Sequence, residues 1–453
     1  MAIRVERVDL SLVENGVHPS EQTLPLWHLF WSQFTPNLIV STWICGLLLP
    51  SLGLDLIRGL IAIVVGNLLG CLLPGIAAIS GPISRLTQIE SSRFALGKPG
   101  SRFVAFFNWA SCTGWDAVNN VPAALAIATI AHFAGLPMPF WLALAICSIS
   151  EAVISTYGHD LVQGVNRYIG YFLLASFAIL GWLCLNQSSI SLPETHAVSA
   201  SSLIAGIVLI GSIGVAWSPY ASDYSRYLPA TTSPVAIATT VTLGFSLSGI
   251  LCTGLGLLLA TTITDVSAQG LIDRVVELGG GVAVLPLLAI ALSSIASNSL
   301  NDNSASYCLM SMRPFGIRVN RVWAGVATGG LGYLMAVIGA GKYTTMYSNF
   351  IYFAACWTTI WAAIVIVHWL HWGKEGCDRY SLRWTSGATL FTVTMVASIL
   401  LFGSSALYVS PVARWTGVDF SYVVGGIVAA IVYTLMCRSQ RRRNRLATQT
   451  EVV

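Results

Sequence analysis

Apolar runs separated by short polar links follow one another along almost the whole chain, many of them near the roughly 20 residues a helix needs to cross a hydrocarbon core. Twelve are counted, at 27 to 49, 56 to 80, 103 to 133, 138 to 157, 164 to 187, 200 to 219, 235 to 263, 281 to 309, 322 to 341, 345 to 371, 386 to 409 and 417 to 437. They predict an all-α integral membrane protein with twelve transmembrane helices. Composition agrees: 55% of the 453 residues are hydrophobic and 9% charged, against about a quarter charged in soluble domains. A helical domain over 27–437 leaves a tail at 1–26, a basic tail at 438–453, and no room for a separate soluble domain. The first run lacks a short apolar core followed by a small-residue cleavage site, so no removable signal peptide is read.

The net charge of +4 matters through its placement. With both termini on one face, that face collects 19 of the 23 Lys and Arg residues, among them Arg4, Arg7, Arg85, Lys98, Arg318, Lys374 and Arg379; Arg58, Arg274, Lys342 and Arg414 fall opposite. The positive-inside rule then puts both termini in the cytoplasm of a multi-pass protein of the cell (inner) membrane. Such a division argues against nucleic acid as a partner, and "RSQRRRNR" at 438–445 reads as a topology anchor beside membrane lipid. Ten cysteines, from Cys45 to Cys437, form no CxxC pair and read as small buried residues. His368 and His371 share a helical face beside Trp369 and Trp372, an interfacial pattern rather than a metal set. No motif asks for a cofactor or specifies an oligomeric state.

Within span 1, "FTPNLIVSTW" sets Pro36, which has no backbone donor, beside Asn37 at mid-membrane depth. Five spans later "GSIGVAWSPY" weakens a second helix with Gly211, Gly214 and Pro219. Interruptions at matching places predict a five-plus-five inverted repeat with helices 1 and 6 broken, and a transporter whose substrate and ion meet at the repeat interface.

Polar clusters in the spans supply the candidate chemistry, because a polar group facing lipid is costly. In span 3, "SCTGWDAVNN" offers the flat face of Trp115, the amides Asn119 and Asn120, and Asp116, read as the only acid deep in the apolar core. Burial disfavours the charged form of such an acid, which makes Asp116 a candidate proton site or cation partner. Span 8 holds "LSSIASNSLNDNSASY", where Asn298 and Asn301 lie on one face at i, i+3 and Ser293, Ser294, Ser297 and Ser299 offer oxygens to a small cation. Asp302 is placed toward the cytoplasmic end of that span. Aromatic planes combined with amides suit a flat, neutral, hydrogen-bonding heterocycle.

The strings "GPISRLTQIESSRFALGKPGS" before span 3 and "ASDYSRYLP" after span 6 resemble the nucleobase cation symporter family, in its purine and cytosine permease branch. "STWICG", "GNLLG", "TGW", "NDN" and "SNF" extend the resemblance, in order, over most of the chain. It implies an alternating-access importer of a nucleobase or related ring, coupled to Na⁺ or H⁺. By motif position Trp115 looks like the family's stacking aromatic and Asn301 like the amide that reads the ring edge, with Asn298, Asn119 and Asn349 as further substrate candidates. Gly211 to Trp217 matches the broken helix 6; where cytosine permeases carry a Phe, this chain has Gly214, with Trp217 a turn later as a substitute. The family's sodium set, carried over, falls on Phe34, Asn37, Ala296 and Ser299, while Leu300 at a usually hydroxyl-bearing position brings no oxygen. Asp116 keeps proton coupling open. Asp223 and Arg226, at i, i+3, are expected to pair and brace the loop entering span 7.

The leading expectation is therefore a secondary active importer of cytosine or a purine. A carrier of hydantoin, allantoin or thiamine would share its features. A membrane enzyme would need paired acids or histidines on a loop, and "SISLPETHAVSA" and "TDVSAQGLIDRVVELGG" offer none. Broken helices and a closed aromatic site disfavour a passive channel.

Overall fold

The computed structural model describes residues 14–157, 159–187, 199–263, 265–317, 319–373 and 380–450. Most of the predicted N-terminal tail, Arg4, Arg7, Arg318, Lys374, Arg379 and most of the loop "SISLPETHAVSA" lie outside them. Among the described residues the chain is helical apart from one isolated bridge, Ser404 with Val409. In chain order the main helices are α1 (Leu26–Phe34), α2 (Val40–Leu47), α3 (Leu56–Ala77), α4 (Arg93–Phe133), α5 (Phe140–Tyr157), α6 (His159–Gln187), α7 (Ala200–Ala216), α8 (Ala221–Ser225) and α9 (Pro234–Ala260). There follow α10 (Ala268–Gly279), α11 (Val284–Met312), α12 (Arg321–Gly339), α13 (Tyr343–Trp372), α14 (Ser386–Phe402) and α15 (Ser421–Thr450).

Among the described residues, seven helical segments are long and apolar enough to cross a membrane, or eight with the bent pair Leu26–Asn37 and Val40–Leu52 taken as one. The remainder of the twelve expected spans are accounted for physically. One segment, Arg321–Trp372, contains both α12 and α13. Helices α5 and α14 are apolar but short. Helix α4 is long but carries buried Asn108, Asp116, Asn119 and Asn120 through its middle, which lowers its hydropathy. Two elements depart from the expectation: α15 runs on as helix through the basic segment after residue 437, and α10 is an additional amphipathic helix between spans.

The two interruptions differ. Around Pro36 the chain makes a 3-10 turn, Thr35–Asn37, passes through extended Ile39 (φ −137°, ψ 151°) and leaves α2 bent 61° from α1. The sixth span is not weakened at Gly211 or Gly214; α7 continues to Ala216 and gives way only to the 3-10 turn Ser218–Tyr220 at Pro219. Those glycines serve packing instead. A Cβ on Gly70 would stand 2.4 Å from the Gly211 carbonyl oxygen, and one on Gly214 2.7 Å from the Gly70 carbonyl carbon. Gly66 is equally close to Ile210. Small residues thus let α3 and α7 approach backbone to backbone, as membrane helices do in the absence of a hydrophobic drive between them. The opposite face of α3 shows Ile57, Val64, Leu69 and Leu72 outward.

Candidate substrate and coupling site

The bend in the first span, α4, the turn after α7, α11 and α13 line a narrow cavity of about 10 Å³. Asn37 is the keystone of its first wall. Its Nδ2 donates to the Phe245 carbonyl (3.0 Å) and Ser248 Oγ (3.2 Å), and its Oδ1 accepts from Thr42 Oγ1 (3.2 Å) and the Trp217 indole N–H (3.1 Å). All four bonding positions of the carboxamide are used. The last of these bonds joins the two helix interruptions. Trp217 is further fixed by stacking on Phe245, with centroids 5.0 Å apart and planes at 24°.

On the opposite wall Trp115 is braced edge to face by Phe350 at 4.9 Å. Gly114 makes this possible, since a Cβ there would fall 2.3 Å from the Phe350 ring. Below Trp115 runs a belt of amides between α4 and α11. Asn119 Nδ2 donates to Asn298 Oδ1 (2.7 Å), which also receives Asn301 Nδ2 (3.1 Å). Asn298 Nδ2 in turn reaches Glu151 Oε1 (3.2 Å) and the Asp116 carbonyl (3.4 Å). Asn119 Oδ1 is buried without a donor, on a residue that lines the cavity.

Of the residues singled out in the sequence, Asn37, Trp115, Asn119, Trp217, Ser297 and Asn301 line this cavity. Asn298 stands behind it in the amide belt. Gly214 does not line it but packs on Gly70 and Cys71. Asn349 points away and accepts the Ala406 N–H at 2.9 Å. Phe34 and Asn37 border the 3-10 turn that packs against α11, where Ser299 Oγ donates to the Ala296 carbonyl at 2.8 Å; Leu300 is buried in the apolar core. Among the described residues no three His, Cys, Asp or Glu side chains form a metal-binding group. The nine described cysteines are buried, and none is in a disulfide with another described residue. His368 bonds Tyr433 Oη, and His371 bonds the Val367 carbonyl.

Asp116 is not the only buried acid. Glu151 on α5 and Asp302 on α11 are as deeply enclosed, so Asp302 is no marker of a span end. Glu151 accepts from Asn120 Nδ2 (2.8 Å) and Asn298 Nδ2, whereas neither the Asp116 nor the Asp302 oxygens meet a donor.

At the cytoplasmic end the two strings that carry the resemblance prove to be partners. The Asp223 carboxylate accepts the Gln88 N–H (2.9 Å) and Ser304 Oγ (3.1 Å), Ser222 Oγ donates to the Leu86 carbonyl, and Ser225 Oγ to the Ala78 carbonyl. Arg226 Nε donates to the Asp223 carbonyl, so the expected contact runs through the main chain; its guanidinium lies against Tyr227 and Tyr307 and bonds both hydroxyls. Beside this interlock, outside the spans, burial pushes the Glu90 carboxyl above its ordinary value, opposed by bonds from Ser311 and Arg93.

Residues 17–425 match the family described as permease for cytosine/purines, uracil, thiamine, allantoin. The chain belongs to this family. It is a multi-pass membrane permease and not an enzyme. Among curated relatives, the purine-cytosine permease fcyB of Emericella nidulans is 27% identical over 94% of this chain and 88% of its own length. YxlA of Bacillus subtilis, which bears the name of a purine-cytosine permease, is 23% identical over 97% and 98%. Among solved structures, Mhp1, a nucleobase-cation-symport-1 family transporter in a closed conformation with bromovinylhydantoin bound, superimposes with a TM-score of 0.75 at 15% identity over 94% of each chain. The permease fold is thereby fixed: all-α, five-plus-five, with interrupted helices 1 and 6.

Sequence reasoning passed over Glu151, Tyr220 and Tyr347. A lone Glu inside the apolar run 138 to 157 was a readable signal. The tyrosines, by contrast, reach the cavity only through the folding together of α7 and α13 with the first span.

Proposed function

We propose that this permease imports a nucleobase, cytosine or a purine, by alternating access, driven by inward proton movement with Asp116 as the proton carrier. Both termini are cytoplasmic in this reading, and the membrane is the cell (inner) membrane. The observation that carries the substrate class is Asn119 Oδ1, a buried acceptor without a donor between two walls that present Trp115 and Trp217. A planar ring with N–H groups on its edge supplies the missing donor and stacks on indole, whereas a purely apolar ligand would leave the acceptor unpaired at a cost of about 1 to 3 kcal/mol. Trp115 and Trp217 stack the ring, Asn119 and Asn301 read its edge, and Asn298 holds the reading amides in place. For sodium, the carbonyls of Phe34 and Asn37 with Ala296 and Ser299 remain the candidate ligands, but Ser299 Oγ is turned onto the Ala296 carbonyl and Leu300 adds no oxygen.

Uptake of radiolabelled cytosine and adenine into proteoliposomes, with hydantoin, allantoin, thiamine and hydroxymethylpyrimidine as competitors, tests the substrate class. Cytosine or a purine should be the strongest competitor. Accumulation of hydantoin or thiamine with no response to either nucleobase would replace this reading. An imposed proton gradient without sodium should suffice for accumulation; accumulation by a sodium gradient alone, retained in Asp116→Asn, would move coupling to the set on spans 1 and 8, Phe34, Asn37, Ala296 and Ser299.

A further inference from the structure

Three carboxyls, Asp116, Glu151 and Asp302, are each about 98% or more buried at the junction of α4, α5 and α11. They are not equivalent. Glu151 accepts an amide donor on each oxygen, from Asn120 at 2.8 Å and Asn298 at 3.2 Å, so both of its oxygens are held in place. Asp116 and Asp302 lie side by side; the Asn301 amide is the one donor that approaches Asp116, and none of the four oxygens has a donor within hydrogen-bond distance. Among the described residues no Lys, Arg or His ion-pairs with any of the three.

Apart from the Asn301 amide on α11, the elements packed on Asp116 bring no donor to it. Its own helix contributes Cys112 and the turn after α7 contributes Tyr220, which bond each other at 3.2 Å. Helix α12 presents Gly332, whose Cβ position would be 3.6 Å from Asp116 Oδ2, so only backbone faces it there. Arg321, the cation on α12 next to this region, is spent on the Ser155 carbonyl and Asn303 Oδ1. Two neighbouring carboxylates in such a place cannot both stay charged, and one proton between them supplies the donor that both lack.

We propose that Asp116 and Asp302 together form the coupling centre and hold one shared proton, with Glu151 as a positioning residue that anchors the amide belt to it. This rests on the importer reading above and adds Asp302 and Glu151 to it. The proton arrives from outside water, forming an O–H bond on one carboxyl while the other accepts the hydrogen bond; that O–H bond breaks on the cytoplasmic side and the proton returns to water. The link to substrate is the belt: Asn301 adjoins Asp302 in sequence, and Asn298 bonds at once Asn119, Asn301, Glu151 and the Asp116 carbonyl. Substrate on Asn119 and the proton on the pair therefore act on one network, and each tightens binding of the other by the same factor.

The test uses purified full-length protein. Acid-minus-base difference infrared spectra should show a protonated-carboxyl band in wild type that is lost in both Asp116→Asn and Asp302→Asn and kept in Glu151→Gln. Cytosine affinity should strengthen tenfold or more as pH falls in wild type and become independent of pH in both Asn variants. Glu151→Gln should keep that pH dependence while weakening binding at every pH. A band that survives in Asp302→Asn, or cytosine binding whose pH dependence persists there, overturns the shared proton. Because the infrared reading needs no substrate, absence of cytosine binding would count against the importer reading alone. Unchanged thermal unfolding of the isosteric variants separates loss of the proton from loss of the fold.

Discussion

The cytoplasmic interlock around Arg226 and the cavity around Asn119 are both buried and both crowded with polar side chains, yet they dispose of those groups differently. In the interlock, Asp223, Ser222 and Ser225 are bound to main-chain groups of the segment 78 to 88 and to Ser304. At the cavity the Asn119 amide oxygen is left over, and behind it two carboxyls, whereas at the interlock the leftover group is the neutral Gln88 carboxamide. A buried polar group that is fully paired holds a fold together, while one that is unpaired waits for something that comes and goes. Density of polar residues in a membrane span does not by itself distinguish the two; leftover carboxyls do.

That contrast is broken most severely by Arg226→Leu. Removing the guanidinium strands the Asp223 carbonyl and the hydroxyls of Tyr227 and Tyr307, at a cost of about 1 to 3 kcal/mol per group, and should appear as loss of folded protein in size-exclusion chromatography. Cytosine should not rescue it. Trp115→Ala should leave a monodisperse protein but remove about 1 to 3 kcal/mol of stacking, seen as uptake reduced to background; wild-type kinetics in this variant would empty the cavity of its assigned role. Asn119→Leu deletes the leftover acceptor itself and should weaken cytosine binding by about 1 to 3 kcal/mol while thermal stability holds, the reverse of the Arg226 outcome. Asn349→Ala marks the boundary: its oxygen caps Ala406 only, and uptake should stay within about twofold of wild type.

Much of this was readable along the chain. Pro36 beside Asn37 announces a bend because proline removes a donor and the amide can repay the opened backbone. Trp115, Asn119 and Asn301 stand out because nothing in lipid favours them. Other features depend on neighbours the sequence does not display. Gly211 and Gly214 look like breaks until α3 is seen against them, with Gly66 and Gly70 in matching positions. Asp302, six residues after Ala296, looks like the end of a span, because α11 runs on to Met312 only under cover of the surrounding helices. The pairing of "ASDYSRYLP" with the loop before α4 is a contact across more than a hundred residues, for which no local pattern exists.

The glycine seam between α3 and α7 limits where the molecule can flex. Backbones that touch without intervening side chains have no rotamers to rearrange, and sliding one past the other would drive Gly70 into the Gly211 carbonyl. These two helices, one from each repeat, must turn as a single beam. Opening and closing then has to be absorbed elsewhere, at the bend of the first span and the turn at Pro219, where regular helix is already interrupted. A covalent staple across the seam would therefore be silent during transport, and one across the Asn37 to Trp217 contact would lock the carrier in place.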